Sequence, residues 1–241
     1  MVKVNDNVLI IGASGDIGRK IVQELANDGY SLLLHYHTNK EKIKELTNSL
    51  PSETVLGVYQ ANLTSKQEIQ NMLSQIVYPV HSIIFVSGLA DNNLFQETTE
   101  EMMDYMLSLH VKAPWKITQH FLQPMIRKQY GKIIFITSIW GEVGASNEVV
   151  YSSVKGAQNS FVKALAKEVG PSGVLVNGIS PGFINTKMNR HLTEEDISNI
   201  VSEIPLNRIG LPKDVANAVS FLMSEKASYI QGDIIKVTGG W

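Results

Sequence analysis

The sequence of 241 residues contains no cysteine. A disulfide framework, a cysteine-ligated zinc, an iron–sulfur cluster and a thiol nucleophile are therefore excluded. The sequence also has no run approaching the ~18 apolar residues of a membrane-spanning helix, and its first residues are polar. We therefore expect a cytoplasmic protein that does not contact the membrane.

The sequence also lacks an excess of charge of either sign. Its 21 basic and 23 acidic side chains give a formal charge of −2, so there is no net positive field to attract a phosphate backbone. This balance argues against nucleic acid as a partner. Hydrophobic residues make up 44% of the chain, and no linker, repeat or low-complexity segment divides it, which predicts one globular domain over residues 1–241.

Seven short apolar runs alternate with longer segments of helical periodicity. Most of the runs are apolar on both faces, as in strands that helices cover on both sides of a parallel sheet. The pattern predicts a single doubly wound α/β (Rossmann) domain with a seven-stranded parallel sheet flanked by helices. The predicted strands are residues 8–11, 31–36, 54–59, 82–86, 132–137, 174–179 and 233–237. A capping signal at 98–101 predicts one long helix that reaches toward Lys128.

The first strand runs directly into a glycine-rich turn, residues 12–18, where a helix begins. Glycines let the backbone bend tightly and approach a pyrophosphate, whose charge the helix N-terminus favours. The turn predicts a dinucleotide site, and a tight turn without a ligand is the alternative. The second strand ends in residues 35–40, which contain no carboxylate to bind a ribose 2′-hydroxyl, so the phosphate of NADP has room. Lys40 either contacts that phosphate or is only a solvent-exposed charge on the next helix. His35 and His37 raise the possibility of a metal site, but without further ligands we expect no metal.

The spacing of three polar side chains predicts a catalytic group. Ser138 follows the fifth strand, and Tyr151 and Lys155 come thirteen and then four residues later. Residues four apart share one face of a helix, so the phenol and the ammonium point the same way. A neighbouring cation stabilises a phenolate, and we expect it to lower the pKa of Tyr151 by about 3 pH units, at ~4 kcal/mol of interaction. The alternative is a surface helix on which this spacing is accidental.

With these features the sequence resembles the short-chain dehydrogenase/reductase family over nearly its whole length. The matching segments are the glycine turn, Ser138, residues 151–155, 176–188, 204–216 and 238–240. The resemblance implies that Tyr151 is the general acid or base, that Ser138 polarises a carbonyl, and that Lys155 binds the nicotinamide ribose and tunes Tyr151. The positions expected to contact NADP(H) are Gly12, Ser14, Gly15, Ile17, Gly18, Tyr36, His37, Asn62, Leu63, Ser87, Gly88, Tyr151, Lys155, Pro181, Gly182, Ile184 and Thr186.

The sequence departs from the family pattern at several of these places. Asp16 stands where the family has a glycine, Asn62 where it has an aspartate, and Ser87 within a segment that is usually Asn-Asn-Ala-Gly. His110 stands where the family has its fourth catalytic residue, an asparagine. A histidine there either carries a proton through a water chain or is a structural residue.

Within the family the sequence resembles the 3-oxoacyl-[acyl-carrier-protein] reductases. Those enzymes place basic residues beside the cleft, where this chain has Gln129 and Ser172, which weakens a carrier-protein interpretation. Trp140 and Glu142 are the expected substrate contacts, because an aromatic wall with carboxylates favours a cation. The alternative is that these carboxylates face solvent.

Residues 138–142 together with His110 are also similar to a bacterial subgroup, the elongation factor P 5-aminopentanone reductases, whose substrate is a ketone with an amine on a protein. The sequence therefore predicts an NADPH-dependent ketone reductase of the 3-oxoacyl-[acyl-carrier-protein] type. The alternatives are the elongation factor P reductase and a nucleotide sensor without turnover. The family resemblance implies a homotetramer or homodimer.

Overall fold

A computed structural model describes residues 6–189 and 192–241. Its described part contains a seven-stranded sheet in the order β3-β2-β1-β4-β5-β6-β7. All neighbouring strands run parallel. The strands are β1 Asn7–Ile11, β2 Ser31–Tyr36, β3 Val55–Gln60, β4 Ser82–Phe85, β5 Gly131–Ile136, β6 Val174–Pro181 and β7 Ile234–Val237. They coincide with the seven predicted runs to within two residues at each end, which confirms the predicted fold class.

Helices cover both faces of the sheet. They are α1 Asp16–Asn27, α2 Lys40–Asn48, α3 Lys66–Gln75, α4 Glu100–Leu107, α5 Ala113–Lys128, α6 Trp140–Val143, α7 Val149–Val169, α8 Glu194–Glu203 and α9 Pro212–Met223. No helix within the described ranges has the length and hydropathy to span a bilayer. The central strands, such as β1, are apolar on both faces because each face packs on a separate core. Leu9, for example, belongs to the cluster that includes α3, α5 and α7, and Ile10 to the cluster on the side of α1, α2 and α9.

The prediction of one uninterrupted helix toward Lys128 is wrong in one respect. Thr99 caps its start by accepting a hydrogen bond from the Met102 N–H at 3.2 Å, as expected. A π-helical turn, Ser108–Lys112, then separates α4 from α5. Single π-turns widen a helix locally and often occur at functional sites. His110 lies in this turn.

Candidate active site

A cleft of about 300 Å³ lies at the carboxyl ends of β1, β4, β5 and β6. β1 and β4 are neighbours in the sheet although two strands separate them in the chain, so the order of the strands reverses there. Open α/β sheets bind their ligands at such a reversal, because the loops that follow the two strands diverge and leave a crevice. The glycine turn forms one end of the cleft, and Ser138, Tyr151 and Lys155 form the other.

The backbone of the glycine turn requires glycine. Gly12 has φ +98°, and a Cβ there would lie 2.6 Å from the backbone nitrogen of Ser87. A Cβ on Gly18 would overlap the carbonyl oxygen of Gly12. Gly15 precedes α1 and provides no side-chain cap to the first amides of the helix. This bare helix N-terminus fits the diphosphate of a dinucleotide.

His35 holds this turn in place. Its Nδ1 accepts the Gly12 N–H at 3.1 Å, and its Nε2 lies 3.0 Å from the Ala61 carbonyl oxygen, to which it donates. Burial lowers the pKa of His35 to about 4, so the ring is neutral and carries one donor and one acceptor, as these two bonds require. His35 thus connects the backbone of the glycine turn to the backbone at Ala61, after β3.

Most of the residues expected to contact NADP(H) line the cleft. These are Ser14, Gly15, Ile17, Gly18, Ser87, Gly88, Tyr151, Lys155, Pro181, Gly182, Ile184 and Thr186. Two of the other expected residues make hydrogen bonds within the protein. Tyr36 is buried and donates to Gln60 Oε1 at 3.3 Å, while Asn62 Oδ1 accepts the N–H and the hydroxyl of Thr64.

Different side chains line the end of the cleft beside α2 in the described part of the chain. They are Asn39, Lys42 and Lys187, and Tyr36, His37, Asn62 and Leu63 do not line it. The cofactor contacts expected for these four residues stay predictions. The helix that follows β2 brings Lys42, in the first turn of α2, to the cleft.

Ser138, Tyr151 and Lys155 converge as their spacing predicts. Ser138 lies two residues beyond β5, and the other two lie on the first turns of α7. All three are more than nine-tenths buried. Burial raises the pKa of Tyr151 to about 12, while a hydrogen bond with Ser138 opposes this shift and the charge of Glu148 adds to it. The expected lowering of the pKa of Tyr151 is therefore wrong for this structure, because desolvation raises the pKa more than the hydrogen bond with Ser138 lowers it.

The ammonium of Lys155 is held by neutral acceptors. It donates to the Ile136 carbonyl oxygen at 2.9 Å and to Gln158 Oε1 at 3.2 Å. Burial lowers its pKa to about 7. Among the described residues these are its two hydrogen-bond acceptors, so its third proton remains available to a hydroxyl in the cleft. This arrangement fits a bound ribose.

A second cavity of about 660 Å³ adjoins the cleft. Ser138 and Tyr151 line both spaces, so a molecule in either one reaches the same two hydroxyls. The other described residues that line the second cavity include Trp140, Glu148 and Trp241, and the two indole rings meet edge to face with their centres 5.2 Å apart. The second cavity is large enough for a substrate of several carbon atoms beside the cleft.

Comparison with known proteins agrees with this geometry. Residues 12–241 match the family described as Enoyl-(Acyl carrier protein) reductase. The chain is 43% identical over 240 residues to "Uncharacterized oxidoreductase YmfI" of Bacillus subtilis, with 99% of each chain covered. It is 32% identical to the 3-oxoacyl-[acyl-carrier-protein] reductase FabG of Staphylococcus epidermidis, with 98% of this chain and 99% of the relative covered. For FabG of Aquifex aeolicus the identity is 34%, over 96% and 95%.

The chain belongs to the short-chain dehydrogenase/reductase family. It is an oxidoreductase of the FabG type, and this relationship implies a nicotinamide cofactor. In this oxidoreductase the aromatic wall of the second cavity comes from two distant parts of the chain, α6 and the C-terminus.

His110 is buried, and its ring contacts the loop after β4. Nε2 lies 3.0 Å from the oxygen and 3.3 Å from the nitrogen of Leu89. Burial, and then the charge of Lys155, lower the pKa of His110 to about 3, so the ring is neutral. Nε2 is occupied by backbone, whereas Nδ1 has no hydrogen-bond partner among the described residues, so the structural role and the proton relay of His110 both stay predictions.

Two expectations about substrate contacts are corrected. Glu142 pairs with Lys236 at 2.7 Å and lines a different, smaller cavity, so it does not border the second cavity, whereas Glu148 does. Gln129 and Ser172 directly precede β5 and β6. They therefore lie at the sheet edge opposite the cleft and do not flank it.

The positions of several residues at the site could not be predicted from the sequence. Trp241 enters the second cavity from the C-terminus, and no local pattern indicates this. Asp16 is identified in the sequence only as a departure from the glycine pattern, although its carboxylate contacts the loop after β6. Gln158 lies three residues after Lys155, and this helical spacing alone places it on the same face.

Proposed function

We propose that the reductase converts a ketone to a secondary alcohol with NADPH as the hydride donor. The observation that carries this proposal is the shared wall of the two spaces, where Ser138 and Tyr151 border both the nucleotide cleft and the second cavity. A carbonyl in the second cavity lies within reach of both hydroxyls and of the nicotinamide end of the cleft. The bound nicotinamide supplies the hydride.

The residues of the chain supply the proton and the positioning. Hydride addition leaves a negative charge on the carbonyl oxygen, which an O–H donor from Ser138 stabilises. With a pKa of about 12, Tyr151 keeps its proton at neutral pH and donates it to that oxygen. Lys155 holds the nicotinamide ribose with its third proton and stabilises the phenolate that Tyr151 becomes.

The choice of NADPH rests on the adenosine end of the cleft. The described side chains that line it there are Asn39, Lys42 and Lys187, and no carboxylate follows β2 within residues 37–40. The carboxylate of Asp16, which also lines the cleft, is engaged by the Lys187 N–H and by Arg19. A ribose 2′-phosphate is accepted in such surroundings, whereas a dehydrogenase for NAD usually has an acid there. We expect NADPH to bind at least ~10-fold more tightly than NADH, a difference of about 1.4 kcal/mol, in tryptophan-fluorescence titrations. Equal affinities would contradict the cofactor assignment.

The substrate class that we propose first is a 3-oxoacyl group on an acyl-carrier protein. The FabG relatives are named for this activity, and the alignments with them span nearly the whole chain. The test is NADPH oxidation with acetoacetyl carrier protein, with a panel of small ketones as the comparison. A protein that binds NADPH but reduces no ketone in the panel would instead be a nucleotide sensor.

The second candidate is the 5-aminopentanone group on elongation factor P. The observation that favours it is the lining of the second cavity, where Trp140 and Trp241 form an aromatic wall near the carboxylate of Glu148. Aromatic faces and a carboxylate attract an ammonium group and disfavour the phosphate of a phosphopantetheine arm. Glu148→Gln should then slow reduction of an amino ketone more than that of a neutral ketone of equal length. Glu142→Gln is the matched control, because Glu142 pairs with Lys236 outside this cavity.

A further inference from the structure

The π-turn in the long helix presents a backbone carbonyl to α7. The oxygen of His110 accepts a hydrogen bond from Gln158 Nε2 at 2.7 Å, across 48 residues of sequence. Both residues are buried, with exposed fractions of 0% and 4%. A buried amide that donates from its nitrogen to a carbonyl has its orientation determined, because a flipped amide would place two oxygens together.

The orientation of the Gln158 amide determines which of its atoms faces Lys155. Since Nε2 faces the carbonyl of His110, Oε1 is the atom that accepts from the Lys155 ammonium at 3.2 Å. The sheet provides the second acceptor through the oxygen of Ile136 at 2.9 Å. Lys155 is therefore held between β5 and the π-turn, and Gln158 is the link to the π-turn.

The surroundings of Lys155 contain few other charges. Among the described residues, the titratable side chains that act on it are Tyr151, whose ring centre lies 5.6 Å from Nζ, and the neutral ring of His110. No carboxylate in the described part of the chain forms an ion pair with Lys155. The acceptors that stabilise its charged form are thus uncharged oxygens, of which one belongs to a side chain that can be replaced.

We propose that Gln158 is a positioning residue that orients the Lys155 ammonium toward the cleft and helps to keep it charged. This inference rests on the proposed function, in which Lys155 binds the ribose and supports Tyr151. Without the Gln158 oxygen, the ammonium loses one of two acceptors and the carbonyl of His110 loses its donor. Both of these hydrogen bonds lie outside the second cavity, so their loss does not require a change in its shape.

The test compares Gln158→Leu with Gln158→Glu. Leucine removes the acceptor, so we expect the midpoint of the Lys155 titration to fall by about one pH unit, which is the lower end for a hydrogen bond to a charged group. Glutamate places a carboxylate beside Lys155, so the midpoint rises. The readout is the pH dependence of trace acetylation of Lys155, measured by mass spectrometry on the complete protein. Ketone reduction by each variant, followed over the same pH range, should change its pH profile in the same direction.

Gln67→Leu is the matched control, because it makes the same substitution on an exposed face of α3 and should leave both profiles unchanged. If the leucine variant does not fold, Gln158→Met carries the same prediction with a flexible side chain of similar length. Identical Lys155 midpoints in the wild type and in the glutamate variant would overturn the proposal. Because acetylation needs no turnover, shifted midpoints in a protein that reduces no ketone would support the role of Gln158 while contradicting the proposed function.

Discussion

The carboxylate of Asp16 accepts the backbone N–H of Lys187 at 2.7 Å, which joins the first turn of α1 to the loop after β6 across 171 residues of sequence. The other oxygen of Asp16 pairs with Arg19 at 3.1 Å. Although burial opposes ionisation, the hydrogen bond from Lys187 and the charge of Lys42 keep the pKa of Asp16 below its usual value. Asp16 stands where the family pattern has a glycine, and here it ties together the two walls of the nucleotide cleft.

This contact predicts a local change in hydrogen exchange. In Asp16→Ala the amide of Lys187 loses its acceptor, and we expect its exchange to accelerate by about 10-fold to 100-fold, as for a lost hydrogen bond to a charged group. Asp16→Asn keeps an oxygen in place and should retain much of the protection. Exchange mass spectrometry of peptides that cover residues 183–189 measures the effect. Equal protection in the wild type and in the alanine variant would show that the contact does not hold the loop.

Tyr151→Phe tests the proton donor. The variant keeps the ring but loses the hydroxyl, so ketone reduction should fall by about 10²-fold to 10⁴-fold while the dissociation constant of NADPH changes little. Because the pKa of Tyr151 is about 12, the proton is present across neutral pH, and Tyr151 itself should cause no loss of reduction between pH 6 and 10. Single-turnover rates at several pH values measure this. A variant that kept more than a tenth of the wild-type rate would exclude Tyr151 as the general acid.

Lys155→Met tests the cost of burying an ammonium. The pKa of Lys155 is lowered to about 7, from 10.5 in an unfolded chain, so between these values the unfolded state binds more protons. The stability of the wild type should therefore rise with pH from about 7 to about 10.5, as the burial penalty is relieved. We expect methionine to raise the free energy of unfolding by about 2 kcal/mol at pH 6.5, and by much less at pH 10. Urea unfolding measures it, and the exposed Lys163→Met on the same helix should show no such pH dependence.

His35 and His110 predict instability in acid. Their pKa values are lowered to about 4 and about 3, from 6.5 in the unfolded chain, so the unfolded state takes up protons first as the pH falls. Each histidine should cost about 2 kcal/mol of stability between pH 7 and pH 5. His35→Gln should remove about half of this loss, whereas the exposed His120→Gln should remove none. A stability that is equally pH-dependent in the wild type and in His35→Gln would contradict the neutral, buried state of His35.

The oligomeric state is predicted from the family resemblance and from one apolar surface. Trp115 on α5 is 46% exposed and packs on Phe161 of α7, with ring centres 6.0 Å apart. If a second copy covers this surface, the wild type should elute as a multiple of 26.7 kDa in light-scattering chromatography, and Trp115→Glu should shift it toward the monomer. Val77→Glu, at an 81% exposed position elsewhere, is the control. An oligomer that withstands Trp115→Glu would place the interface on another surface.

The features of this protein that depend on local pattern could be predicted from the sequence alone. Short runs that are apolar on both faces, separated by segments of helical periodicity, predict strands between two helical layers, and these predictions agree with the observed sheet to within two residues at each strand end. The spacing of Tyr151 and Lys155 fixes their shared helix face, and the glycines at 12 and 18 are required by backbone geometry.

The pKa shifts and the ion-pair partners of the site residues follow from tertiary packing and could not be predicted from the sequence. The pKa of Tyr151 rises because burial outweighs the hydrogen bond with Ser138, and burial exists only once the chain has packed. The same holds for the carboxylates of the catalytic loop. Lys236, which is distant in sequence, pairs with Glu142, while Glu148 borders the second cavity. Spacing along a helix is a local property of the chain, whereas desolvation and ion pairing depend on atoms that tertiary folding brings from distant segments.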